Sequence, residues 1–211
     1  MRNELIKRTL SSIILIPIAF FFIFQGSALF IFFLSLFFLV TSYEWFKMCK
    51  KNHFMKFLGI IFLLFSFYSS FYIRVNSGLF FFLFIILICI FTDIGGYVFG
   101  NIFKGPKLTK ISPKKTYAGV IGGFLFSLIV GLSFMKFTDN IYLETQFINT
   151  FFGILIISLI SQIGDLIISF FKRKAKIKDT GKILPGHGGL LDRVDGLIFV
   201  MPLVYLKIFV L

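Results

Sequence analysis

Apolar runs long enough to cross a bilayer follow one another along most of the chain, and this constrains the fold more than any motif. A helix crossing the hydrocarbon core needs about 20 residues, within a range of about 17–25. On that ruler the sequence predicts seven spans, at residues 10–24, 28–46, 57–73, 78–99, 117–137, 147–171 and 194–211. The first is short, and the first two could pair as a hairpin. Apolar residues make up 58% of the chain, charged residues only 15%, and 34 residues are Phe. A soluble domain is nearer half apolar and a quarter charged, and no soluble core of this size hides so many aromatic rings. The expected fold is all-α: a polytopic integral membrane bundle of about seven transmembrane helices. It reads as one membrane domain over 1–211, with N-terminal helices at 1–90 and catalytic helices and loops at 91–211. The start, with Arg2, Lys7 and Arg8 before an apolar stretch, resembles a secretory signal. Because the apolar sequence resumes directly after Gly26-Ser27-Ala28, an uncleaved first helix and a tight turn are expected instead.

The formal charge of +13 invites a nucleic-acid reading, but the charges sit in short loops between apolar runs. Alternating loops place all of the 22 basic residues except Arg74, Lys136 and Lys207 on one side. By the positive-inside rule that side is cytoplasmic, and so is the N-terminus. A nucleic-acid partner is therefore not expected. Cys49 and Cys89 form no C-x-x-C pair, so neither a disulfide nor a zinc site is expected.

Acidic residues in apolar helices are costly and usually mark sites or pathways. Glu44, Asp93 and Asp165 lie in or near spans, and Asp192 and Asp195 stand where the last span begins. Glu44, beside Trp45, reads mainly as an interfacial residue. Asp93, next to Gly95 and Gly96, reads as functional. Asp192 and Asp195 are three apart and share a helix face. Magnesium takes one or two carboxylates together with substrate phosphates, and Asp165 could complete such a set. A helix cap with an acidic first turn explains the same pair equally well.

The polar stretch between these carboxylates shifts the balance toward a ligand site. It carries Lys172, Arg173, Lys178, Asp179, Gly181, His187, Gly188, Gly189, Asp192, Arg193 and Asp195. Glycines let the backbone approach a ligand, carboxylates hold a cation, and Lys and Arg hold phosphate oxygens. His187 is either a turn residue or a phosphate donor with acid/base capacity. A second loop, around Ser112-Pro113-Lys114-Lys115-Thr116, adds two cations to the basic rim. No P-loop is present, since Pro106 stands where the lysine should be, and no serine-hydrolase or zinc-protease motif occurs. Paired broken helices, the mark of many transporters, are not apparent.

The run from Ser169 through Asp195, with Lys172-Arg173, Lys178-Asp179-Thr180-Gly181, Leu184-Pro185-Gly186-His187-Gly188-Gly189 and Asp192-Arg193-Val194-Asp195, resembles the signature of phosphatidate cytidylyltransferases, the CDP-diacylglycerol synthases. Gly164-Asp165-Leu166, the stretch from Asp93 to Gly100, and Ser112 to Thr116 are also similar to that family. The resemblance spans roughly residues 90–200. Many relatives carry a glutamate where this chain has Ile168.

The resemblance implies transfer of CMP from CTP to phosphatidate, giving CDP-diacylglycerol and pyrophosphate, with Mg2+ required. It also suggests a monovalent ion such as K+, a homodimer, and a bacterial inner-membrane location with the site on the cytoplasmic side. On this reading Asp165, Asp192 and Asp195 hold the metal, with Asp93 a further candidate. Lys172, Arg173, Lys178, Asp179, Lys114, Lys115, Gly188 and Gly189 bind the nucleotide. His187 and Arg193 join Asp165, Asp192 and Asp195 as catalytic residues. Asp195-Gly196 is followed by Leu-Ile-Phe-Val, which departs from the motif of enzymes that join an alcohol to a CDP-lipid.

Overall fold

The computed structural model of the protein describes residues 2–50, 52–109, 111–137, 143–183 and 188–210, and its described side chains exclude 2–12, 14, 143–148 and 208–210. Among the described residues the chain forms eight helices: α1 (Arg2–Gln25), α2 (Ser27–Met48), α3 (His53–Asn76), α4 (Gly78–Phe103), α5 (Tyr117–Phe137), α6 (Leu143–Lys174), α7 (Leu191–Val194) and α8 (Leu197–Val210). An isolated antiparallel bridge joins Lys107 and Thr116. Each of the seven expected spans is a helix. α2 to α6 are long and apolar enough to cross a membrane, while the apolar segments Leu15–Gln25 and Leu197–Lys207 are shorter. The last span starts later than expected, because the chain first makes α7 and then turns at Asp195-Gly196. Large side chains such as Phe57, Phe80 and Ile129 stand exposed on these helices. In water such surface is a liability, whereas in lipid it is the expected exterior. The protein is a polytopic helical membrane bundle.

The helices cluster into two compact units. The first comprises Met1–Leu79 and Phe171–Leu211. In it α2 packs against α1, α3 and α7, and α3 packs against α8. The tight turn after α1 is built on Gly26, whose φ of 63° lies in the left-handed region that a glycine enters without steric cost. Arg74 donates to the carbonyls of Ile23 (3.0 Å) and Phe24 (3.4 Å). A guanidinium there satisfies the orphan carbonyls at the end of α1 and complements the negative end of its dipole. Asn52 caps α3 by accepting the Met55 N–H at 3.1 Å. The Trp45 indole lies over Gly59, where any β-carbon would collide with its ring, and donates to the Met55 carbonyl at 3.0 Å.

The second unit is Phe80–Phe170. Here α4 and α5 touch backbone to backbone: a β-carbon on Gly119 would lie 2.7 Å from the Gly96 carbonyl, and one on Gly122 2.8 Å from that of Gly95. Small residues give membrane helices this close approach, which replaces the hydrophobic drive that lipid cannot supply. A buried hydrogen bond of 2.9 Å from Thr92 to Ser158 ties α4 to α6.

Candidate active site

In the first unit, the residues after α6 fold back on a single buried carboxylate. Glu44, in the interior of α2, is 1% exposed. Its Oε1 accepts the Leu190 N–H at 3.0 Å. Its Oε2 accepts the Leu191 N–H at 2.8 Å and the Thr180 hydroxyl at 2.9 Å. The space it occupies explains two glycines of the signature. A β-carbon on Gly181 would collide with Glu44 Oε1, and one on Gly189 would lie 2.6 Å from Oε2. These two glycines are required by a protein side chain, independently of any ligand.

Asp192 is held from the other side of Thr180. Its Oδ1 accepts from the Lys172 ammonium at 2.7 Å, and side-chain exposures of 12% and 9% leave the pair largely shielded from water. Its Oδ2 accepts the N–H groups of Thr180 (2.8 Å) and Gly189 (3.2 Å) and lies 3.0 Å from the Thr180 hydroxyl. Burial acts to raise the Asp192 pKa, but the Lys172 hydrogen bond, the Thr180 N–H, the Lys172 charge and the Gly189 N–H together leave it below its ordinary value. The single Thr180 proton serves either Glu44 or Asp192 at a given moment. Gly188, at a φ of 85°, makes the turn that brings the next N–H to Asp192. Asp195 is buried and its Oδ1 accepts the Gly196 N–H at 2.9 Å, ahead of α8. Arg173, Lys178, Asp179 and Arg193 are exposed. His187, the candidate acid/base group, lies outside the described residues.

In the second unit, Asp165 of α6 meets the Lys115 ammonium at 2.5 Å, with both side chains about a quarter exposed (27% and 26%). Asp165 also accepts from the Ser169 hydroxyl at 3.2 Å. Asp165 and Lys115 border a cavity of about 310 Å3 lined also by Asp93, Lys114, Thr92 and Gln162. The loop that presents the lysines is internally tied. The Lys115 N–H bonds the Ser112 carbonyl (3.0 Å), and the Leu108 N–H bonds the Lys115 carbonyl (2.8 Å). Thr116 then caps α5 by accepting the Gly119 N–H at 3.1 Å. Two carboxylates and two ammonium groups thus line one cavity, a combination suited to a metal-bridged polyphosphate.

Residues 51–211 match the cytidylyltransferase family. The chain belongs to that family. A phosphatidate cytidylyltransferase of Staphylococcus saprophyticus subsp. saprophyticus is 48% identical over 130 residues, covering 61% of this chain and 48% of that protein. One from Staphylococcus aureus (strain COL) is 42% identical over 177 residues, 79% of this chain and 64% of that protein. One from Staphylococcus epidermidis is 40% identical over 176 residues, with the same shares of 79% and 64%. The chain thus spans about half to just under two thirds of the length of these curated relatives.

The family resemblance carries the expectation of a hard divalent cation, and each unit has carboxylates that could take part in holding one. Among the described residues no three His, Cys, Asp or Glu side chains gather into a cage for a metal. Magnesium does not need one, since one or two carboxylates plus substrate phosphates suffice. Asp93 and Asp165 border one cavity, and Asp165 has both oxygens engaged, by Lys115 and Ser169. Asp192 likewise has both oxygens engaged, by Lys172, Thr180 and Gly189. The structure thus brings together Asp93, Asp165, Lys114 and Lys115 in one unit. It joins Lys172, Asp192 and Gly189 in the other. Sequence reasoning undervalued Glu44 and assigned no role to Thr180. A carboxylate within an apolar helix was the available signal for the first, and for the second there was none.

Proposed function

We propose that this member of the cytidylyltransferase family is a phosphatidate cytidylyltransferase, which transfers CMP from CTP to phosphatidate and releases pyrophosphate. The observation that carries this reading is the Asp165–Lys115 pair in a cavity shared with Asp93 and Lys114. The names of the relatives supply the substrate class. A phosphatidate oxygen attacks the α-phosphorus of CTP in line, a new P–O bond forms, and the bond to the pyrophosphate oxygen breaks. Both reactants are anions, so catalysis rests on charge cancellation and placement. Phosphatidate is ionised at neutral pH, and no strong general base is needed.

Lys114 and Lys115 bind phosphate oxygens, and Asp165 orients the Lys115 ammonium toward them. Asp93 and Asp165 would hold Mg2+, which supplies Lewis-acid charge neutralisation when bound. In the first unit, Arg173, Lys178 and Arg193 are assigned to phosphate oxygens, and His187 to proton donation. Lys172 and Asp192 keep the signature folded, with Gly188 and Gly189 giving close backbone access beside Asp179 and Asp195. The basic loops support a cytoplasmic active site in the bacterial inner membrane. The homodimer and the K+ ion rest on family resemblance.

The test is an assay of detergent-purified protein with phosphatidate, Mg2+ and CTP labelled in its α-phosphate. Label entering lipid with equal pyrophosphate, abolished by chelation, is expected. Phosphatidate gaining a phosphate with release of CDP would overturn the reading in favour of a CTP-dependent lipid kinase.

A further inference from the structure

A second cavity, of about 400 Å3, lies within the first unit where the end of α2, the start of α3 and the end of α6 come together. The reaction described above makes no use of it. Lys47, Lys50, Lys174 and Lys176 line it, and among the described residues no carboxylate does. Its walls are apolar, formed by Met48, Met55, Phe171 and Ile177.

The plain explanation for lysines at such a place is that they offset the helix ends. Two helix C-termini present roughly half a negative charge each, so four ammonium groups leave roughly three positive charges over. The N-terminus of α3, capped by Asn52, adds positive potential rather than removing it. Those helix ends are also already served by the backbone. The last turn of α6 closes with N–H groups of Lys176 and Ile177 bonding the carbonyls of Arg173 and Lys172, both at 3.0 Å. This closure has Lys176 at a φ of 56°, a left-handed position that usually belongs to glycine. A lysine is thus kept, against backbone preference, at the rim of a cavity already rich in lysine.

We propose that this cavity binds the phosphate headgroup of an anionic phospholipid. A metal-bridged nucleotide calls for carboxylates, which the lining lacks. A phosphate carrying apolar chains matches lysines above Met, Phe and Ile. This site is separate from the proposed cytidylyl transfer, and its test reads binding alone.

The chain has a single tryptophan, which makes the test site-specific. Trp45 stacks edge-on against Phe171 at 4.9 Å and donates to the Met55 carbonyl, so it abuts two wall residues. Detergent-purified protein is titrated with phosphatidylglycerol or phosphatidylcholine, each brominated on its acyl chains, and Trp45 quenching is followed. The anionic lipid is expected to quench at a concentration lower by about tenfold or more, since each lysine near a headgroup supplies about 1 kcal/mol. The triple variant K50Q/K174Q/K176Q should lose that preference, and K207Q should keep it. Equal quenching by both lipids, or a preference retained in the triple variant, would overturn the site. Reversal of the quenching by stoichiometric inorganic phosphate would mark it as a site for free phosphate and overturn the lipid assignment. If the triple variant does not fold, K50Q and K176Q singly should each weaken the preference, and full retention in both overturns the proposal.

Discussion

Glu44 Oε2 accepts the backbone N–H of Leu191 at 2.8 Å across 147 positions of sequence. A buried acid on an early helix thereby fixes the fold of the family signature near the end of the chain. Replacing Glu44 with Ala leaves the Leu190 and Leu191 N–H groups without an acceptor in a buried place. Each orphaned group costs about 1–3 kcal/mol, so E44A should lose about 3 kcal/mol of stability. Thermal unfolding in detergent measures the loss, and limited proteolysis between residues 178 and 193 should rise with it. E44Q keeps one acceptor oxygen and should fall between wild type and E44A. An E44A protein with unchanged unfolding and proteolysis would refute the anchoring role.

Gly189→Ala tests the same contact from the other side. Its β-carbon would collide with the Thr180 hydroxyl and lie 2.6 Å from Glu44 Oε2 and from the Gly181 nitrogen. Overpacking of this kind costs about 1–3 kcal/mol or more. Gly153→Ala is the control: nothing lies within 4 Å of its added β-carbon. In a helix interior that change should stabilise by about 0.5–1 kcal/mol. Opposite shifts of the unfolding midpoint are the expected result.

Asp192 gives the stability a pH dependence of known sign. Its folded pKa lies below the ordinary value, with burial opposed and outweighed by Lys172, Thr180 and Gly189. The stabilisation is therefore full above the unfolded pKa, about 3.9. It declines as pH falls from there through the lower folded value. The stability gap between wild type and D192N should be constant near neutrality and shrink below about pH 4. A gap that widens with acid would contradict the assignment.

Asp165→Asn and Lys115→Met separate chemistry from folding in the second unit. Both side chains are partly exposed, so neither change should unfold the protein. Removing a preorganised charge from the reacting phosphates should lower turnover by about 10²–10³. D165N should in addition shift the Mg2+ concentration for half-maximal activity upward. Full activity with an unchanged metal requirement in D165N would remove it from the site.

The membrane helices were legible because their signal is local. About 20 apolar residues in succession suffice to specify a span, and each expected span is a helix. The start of α8 was less legible, because the Asp195-Gly196 turn interrupts a run that hydropathy reads as continuous. Within the candidate site, the hydrogen-bond partners of the carboxylates were not legible. Asp165 and Asp192 read as metal partners from their charge, and the structure adds the contacts each makes within its own unit: Lys115 for Asp165, and Lys172, Thr180 and Gly189 for Asp192.

The sequence by itself determined that this chain is an all-helical membrane protein, and its signature pointed to the cytidylyltransferase family. Hydropathy and motif spacing are properties of neighbouring residues, and no folding is needed to read them. Only the tertiary structure decided which donors the buried carboxylates meet. A buried carboxylate must find donors wherever the fold brings them. Glu44 found them 136 to 147 positions away, at a distance no local pattern encodes.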